Sequence, residues 1–190
     1  MRIILASSSP RRRELLRLIG VEPEIRVSSF EETIKRGESA QDFVKRVAVQ
    51  KGKEVYKDEF YGIPVVSADT IVYIDHTILG KPVNREDAFK MLQTLSGNVH
   101  RVITGVSILY KGETHYDLST TKVCFANLSF EEIDFYLDHE EYADKAGAYG
   151  IQGKASVFVE KIEGCYFNVV GFPINLFYHM LKKIGIEIYR

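Results

Sequence analysis

Seven consecutive residues, Ser7-Ser8-Ser9-Pro10-Arg11-Arg12-Arg13, carry the first chemistry in this chain. A short apolar run, Ile3-Ile4-Leu5-Ala6, leads into a hydroxyl-rich turn. Ser9 followed by Pro10 then opens a helix, because serine caps helices well and proline suits the first helical position. Free backbone N–H groups and the helix dipole both attract an anion at such an end. Three arginines there oppose the dipole, and a bound polyanion resolves the conflict. Helical spacing sorts them. Arg11 and Arg12 border the apolar stripe through Leu15 and Leu16, whereas Arg13 shares a polar face with Arg17. Arg11 and Arg12 are therefore the expected ligand contacts; the competing reading is a solvated basic turn.

A carboxylate, Asp69, interrupts the apolar stretch Val65-Val66-Ser67-Ala68-Asp69-Thr70-Ile71-Val72. A buried carboxylate needs a cation, a metal or a proton, so Asp69 is either a catalytic or metal-binding group or half of a structural ion pair. Lys51 falls on the apolar face of its predicted helix, near Val47, Ala48 and Val55. Its ammonium can reach a phosphate or Asp69, or it can snorkel to solvent. Glu31-Glu32 precede that helix and, with Asp69, could supply oxygens to a hard cation such as Mg²⁺. Lys81 sits in the tight turn Leu79-Gly80-Lys81-Pro82, a second candidate for a phosphate. Gln152 lies in a glycine-spaced loop (Gly147, Gly150, Gly153), where its amide could read a base edge. Four cations and two or three carboxylates suit a nucleoside triphosphate with a divalent metal. They do not by themselves give the reaction.

The elements that must position these groups follow from pattern. Residues 2–6 and 24–28 read as strands. Leu15, Leu16, Leu18 and Ile19 form the buried stripe of the first helix, which Gly20 ends. Ser39-x-x-Asp42 opens a helix of about five turns. Residues 63–74 are strand-like, turned by Asp75-His76 into a short partner at 77–79. Asn84-x-x-Asp87 opens a further helix, stopped by Gly97. Residues 99–110 and 114–126 form a hairpin around Lys111-Gly112. Ser129-x-x-Glu132 starts a short helix, 156–161 and 165–170 read as a second hairpin over Glu163-Gly164, and 173–184 is a closing helix. Helices and strands mix with both hairpins and crossovers, so the class is α/β with a mixed sheet.

The length of 190 residues predicts a single domain, or one core pinched into two lobes. A net charge of -1 supplies no bulk field to hold a long nucleic acid. Cys124 and Cys165 form no CxxC pair, which predicts reduced thiols, and the five histidines are scattered without a zinc motif. No signal-peptide pattern and no membrane-spanning run is evident, so a cytoplasmic setting is expected.

In these motifs the chain resembles the Maf-like nucleoside triphosphate pyrophosphatases, once described as septum-formation inhibitors. The matching stretches are ASSSPRR at 6–12, Glu31-Glu32, Gln50-Lys51, Ala68-Asp69-Thr70, Gly80-Lys81-Pro82, Leu95-Ser96-Gly97, Ile103-Thr104-Gly105-Val106 and DKAGAYGIQG at 144–153. They run in order across almost the whole chain. The resemblance implies an elongated ITPase-like α/β fold with two lobes around a cleft, often dimeric. It implies Mg²⁺- or Mn²⁺-dependent hydrolysis of a nucleoside triphosphate to monophosphate and pyrophosphate, a house-cleaning activity on the nucleotide pool. By position, Asp69 matches the family's general base. Ser7, Arg12, Lys51 and Lys81 match phosphate-site residues, and Glu31 an acidic, metal-linked position shared with Asp69. Arg11, Thr70 and Gln152 match the positions that mark the branch preferring dTTP and UTP. Ser67, where glycine is usual, and Phe172, where leucine is usual, are departures.

Other readings compete with turnover of dTTP and UTP: a nucleotide-binding regulator of cell division, a basic turn that binds RNA, and a pyrophosphatase for a modified nucleotide. The catalytic carboxylate argues against the regulator, the near-neutral charge against RNA, and Thr70 with Gln152 against a modified purine.

Overall fold

The computed structural model describes residues 2–189. The elements in chain order are β1 (Ile4–Leu5), α1 (Pro10–Leu18), β2 (Glu24–Ile25), α2 (Ala40–Val55), β3 (Val65–Ile74), β4 (Thr77–Leu79), α3 (Arg85–Leu95), β5 (Val99–Tyr110), β6 (Glu113–Phe125), α4 (Phe130–His139), β7 (Val159–Glu163), α5 (Tyr166–Val170) and α6 (Ile174–Lys183). The strands form one mixed sheet in the order β2-β1-β3-β5-β6-β7, with β4 paired to β3. Strands β2 and β3 flank β1 in parallel, with Leu5 opposite Ile25 on one side and Val66 on the other. Strand β4 is antiparallel to β3, and β7 to β6.

The chain divides into two compact units, one of Met1–Thr70, Thr104–Ser119 and Gly171–Arg190, the other of Ile71–Ile103 and Thr120–Val170. In the first unit β1 has a parallel neighbour on each side. Strands in such a setting read as continuous apolar runs, and Ile3, Ile4, Leu5, Ala6, Val65 and Val66 are all buried. Helix α2 packs Val44, Val47 and Ala48 inward, and its N-terminus is closed by Ser39, whose hydroxyl accepts from Asp42 N–H. Helix α1 begins at Pro10 after Ser9, as the sequence predicts, but the Ser9 side chain makes no capping bond. Leu18 is 65% exposed, so the buried stripe of α1 is Leu15 and Leu16 alone.

In the second unit Asn84 caps α3 by accepting from Asp87 N–H, and Ser129 and Glu132 form a reciprocal capping box on α4. Arg85 of α3 reaches Asp134 and Asp138 of α4 at 3.1 and 2.7 Å. One sequence expectation fails here. Residues 154–158 are a short helical turn, β7 follows as partner of β6, and 166–170 is helix α5 rather than the returning arm of a hairpin. The reason is tertiary. Thr121 Oγ1 both accepts from Cys165 N–H and donates to Cys165 C=O, and the buried Asn168 amide donates to Val102 C=O and to Thr121 Oγ1. These bonds hold a turn of helix where the local apolar pattern reads as strand. Both cysteines are free thiols. Among the described residues no helix is long and apolar enough to cross a membrane.

Candidate active site

The site begins where β1 leaves the sheet. Along the parallel pair, Ile4 N–H donates to Pro64 C=O and Ala6 N–H to Val66 C=O. The next acceptor in that ladder is Ala68 C=O, but the chain has already turned away through Ser7-Ser8-Ser9. A buried carbonyl left without a donor is costly. Arg12 fills the place: its Nη1 donates to Ala68 C=O at 2.8 Å and to Ser7 Oγ at 3.2 Å. Its Nη2 donates to Thr70 Oγ1 at 3.2 Å and its Nε to Gly171 C=O at 3.1 Å. Four of the five guanidinium N–H groups are thus directed at described residues of this chain. Ser7 Oγ also accepts from Ser9 N–H at 3.2 Å, so the serine turn is tied from within.

Two residues along from Ser67, Asp69 points toward α2. It is 3% exposed, with Oδ1 accepting from Lys51 Nζ at 2.8 Å and Oδ2 buried without a partner among the described residues. Burial raises the Asp69 pKa above the ordinary carboxylate range, and the neighbouring Lys51 and Arg12 charges work in the opposite direction. Lys51, its side chain only 11% exposed, also donates to Glu32 Oε1 at 2.6 Å. The ammonium therefore bridges a loop carboxylate and a strand carboxylate. Snorkelling is not what this lysine does. Arg12 is drawn below its usual value by burial and held up by Asp69 and Glu32.

Helix α2 also organises the loop that brings Glu32 in. Ser28 and Ser29 donate to the Glu54 carboxylate, Glu32 meets Lys51, and Arg46 binds Glu38 and Thr33 C=O. Glu32, not Glu31, is the acidic residue at Lys51; Glu31 is exposed and its backbone carbonyl accepts from Thr33 N–H. Thr70 Oγ1 contacts Arg12, Thr104 Oγ1 at 2.9 Å and Gly171 C=O at 3.3 Å. Arg11 is half-buried beside Arg12, while Arg13 and Arg17 pair with Glu22 on the surface as their spacing predicts. Lys81 and Gln152 belong to the second unit, and both are exposed.

The two departures in the sequence are absorbed locally. Ser67 Oγ donates to Ala48 C=O at 2.7 Å, and Gly52 makes room for it: a Cβ on Gly52 would stand 2.7 Å from that oxygen and 2.6 Å from Leu109 Cδ1. Phe172 is fully buried against Phe177, ring centres 5.1 Å apart. Sequence reasoning does not single out Thr104 or Gly171, although Thr104 stands in the Ile103-Thr104-Gly105-Val106 motif. Nothing local marks the Gly171 carbonyl, since the Arg12 bond closes across 159 residues.

A divalent cation suits part of this arrangement. Among the described residues no three His, Cys, Asp or Glu side chains gather as a metal cluster. Mg²⁺ needs only one or two carboxylates when substrate phosphates complete its shell. The unpartnered Asp69 Oδ2 is a donor of that kind, with Glu32 as the nearby second carboxylate.

Lys51 gives a direct test of these electrostatics. Lys51→Met removes the strongest opposing influence on Asp69, so the carboxyl holds its proton to higher pH. The acid limb of the pH–kcat/KM profile should move upward. An unmoved limb would show that Asp69 is not the titrating group.

Comparison of the whole chain with known proteins gives its family. The family model for Maf-like proteins matches residues 2–184. A dTTP/UTP pyrophosphatase of Bacillus anthracis (strain CDC 684 / NRRL 3495) is 49% identical over 187 residues, covering 98% of this chain and 97% of that protein. A dTTP/UTP pyrophosphatase of Bacillus cereus (strain AH820) matches at the same identity and coverage. Among solved structures, the Staphylococcus aureus Ham1 protein superposes over 97% of this chain and all of that one, with a TM-score of 0.54 and 15% identity, a likeness of fold. With a family match over nearly every residue and relatives at 49% identity, the chain belongs to the Maf-like family.

Proposed function

We propose that this protein hydrolyses nucleoside triphosphates, dTTP and UTP foremost, to the nucleoside monophosphate and pyrophosphate, and so removes unwanted nucleotides from the pool. The observation that carries this reading is Asp69: a buried carboxylate with one oxygen on Lys51 and the other bare, just beyond the serine turn and Arg12. Its near-full-length relatives bear the name dTTP/UTP pyrophosphatase, which supports the same substrates here.

In the proposed reaction a water oxygen attacks the α-phosphorus. The bond from that phosphorus to the α–β bridging oxygen breaks, and its electron pair leaves with pyrophosphate. Asp69 orients the water and takes its proton. Lys51, and the N–H of Arg12 not directed at the described residues, offset the charge that builds on the phosphate oxygens. The amide end of α1 and Ser7 hold a phosphate at the turn. Asp69 Oδ2 and Glu32 would hold a divalent cation, Mg²⁺ or Mn²⁺. When bound, it supplies positive charge to the phosphates. On the family resemblance, Lys81 is assigned to phosphate, Glu31 to the metal's surroundings, and Arg11, Thr70 and Gln152 to the choice of base. A homodimer accompanies this reading on the same ground, and a cytoplasmic setting accords with the two free thiols.

The test is product identity. With Mg²⁺ and, separately, dTTP, UTP, dCTP, ATP and GTP, the expected products are monophosphate and pyrophosphate, fastest from dTTP and UTP. Nucleoside diphosphate plus phosphate would mean attack at the other end of the chain and would reverse the substrate's placement.

A further inference from the structure

The loop that carries Gln152 is held by a buried polar pair that takes no part in the proposed reaction. His100, on β5, is 1% exposed, and its Nε2 lies 2.7 Å from the Tyr149 hydroxyl. Tyr149 is itself buried, and both rings meet Phe125 edge to face at 4.9 and 4.8 Å. Nδ1 of His100 is buried with no partner among the described residues. A polar pair in such a place, one nitrogen unsatisfied, is no more stable than a well-packed apolar one. What it adds is direction: the bond fixes where one hydroxyl must sit.

That hydroxyl belongs to a loop that needs fixing. Gly147 and Ala148 both have positive φ, 68° and 61°, and Ala148 is fully buried. For alanine this left-handed backbone is strained and persists only where its surroundings over-determine it. The surroundings here are specific. Gly147 N–H donates to Gly80 C=O at 3.0 Å, in the turn of Lys81, and Gly147 packs so closely on Val72 that a Cβ would fall 2.9 Å from Cγ2. Tyr149 follows directly on Ala148, and Gln152 comes three residues later.

We infer that His100, through Tyr149, is a positioning residue for base selection: its bond to the Tyr149 hydroxyl holds the strained 147–150 loop in the one conformation that presents Gln152 to the pyrimidine edge. The inference rests on the assignment of Gln152 to base choice. Burial holds the His100 pKa down at about 4, so the imidazole is neutral and the bond persists through the neutral range.

The experiment measures kcat and KM for dTTP and dCTP in the full protein. The variants are Gln152→Ala, His100→Leu, Tyr149→Phe and His100→Gln, alone and, for His100→Leu, combined with Gln152→Ala and with Tyr149→Phe. Expected is a fall of about tenfold in the dTTP preference for His100→Leu and for Tyr149→Phe, carried by KM with kcat nearly unchanged. The two should be non-additive when combined. His100→Gln, which can still reach the hydroxyl, should restore most of the preference. In the Gln152→Ala background His100→Leu should remove no further discrimination. If Gln152→Ala lowers the preference while His100→Leu and Tyr149→Phe leave it intact, the positioning role is wrong and the base assignment stands. If Gln152→Ala itself changes nothing, the base assignment fails and the inference with it. An equal loss of kcat for every nucleotide, with a fallen melting temperature, would mark the pair as merely structural and overturn it.

Discussion

Asp69→Asn should lose turnover by about a thousandfold while folding at least as well as the parent. A positioned base contributes on the order of 10²–10⁴ in rate, and the amide can neither take the water's proton nor offer a charged oxygen to a cation. Stability moves the other way. Burial raises the Asp69 pKa, so between the ordinary carboxylate pKa and the raised one the folded chain keeps a proton that the unfolded chain has lost. Stability from this group is complete below the unfolded value and falls as pH rises through the folded one. Asparagine removes that decline, and its carbonyl can still accept from Lys51, which also retains Glu32. The variant should therefore melt no lower than the parent at neutral pH. Turnover and a thermal scan on the same sample decide it. Near-normal turnover in a folded variant would remove Asp69 from the mechanism.

Arg12→Leu and Arg12→Lys should both lose stability and activity together. The guanidinium serves Ala68 C=O, Gly171 C=O, Ser7 Oγ and Thr70 Oγ1 at once. Leucine leaves these acceptors short of donors in a buried setting. Lysine keeps the charge but not the planar fork, so it cannot reach all four. Each buried group left unsatisfied costs about 1–3 kcal/mol, and a net loss of about 3 kcal/mol is expected, a fall of roughly 6–12 °C in Tm. Activity should drop about a hundredfold, since Ser7 and the strand bearing Asp69 lose their common tie. A lysine variant as stable as the parent but inactive would make Arg12 a substrate ligand alone, with no organising part.

Much of the framework was readable from local pattern because local rules decided it. Ser39, Asn84 and Ser129 all cap the helices that their spacing announced. Asp75-His76 and Lys111-Gly112 are turns as expected, and Asp75, His76, Lys111 and Gly112 all adopt positive φ. Lys51 and Asp69 stood out as charges on apolar faces, and they meet. Distant bonds decided what was missed. Helix α5 exists because Thr121 and Asn168 hold it, and Asn168 in the sequence is only a polar interruption of an apolar run. Glu32 and Glu31 are indistinguishable by type, and only the path of the loop along α2 separates them. Arg12 could be placed beside an anion by its position at the helix start. Its place in the broken ladder of β1 and β3 required knowing which strands are neighbours.

The tight seat of Ser67 over Gly52 also limits the order in which substitutions at the two positions can be made. An alanine at 52 would strike the serine oxygen, and the serine cannot swing aside without abandoning Ala48 C=O. Leu109, at the end of a flexible side chain, can give way. A chain that first replaces Ser67 with glycine can then accept alanine at 52, while the reverse order passes through a clashing intermediate. The two positions are therefore sterically coupled, and a serine at 67 favours glycine at 52.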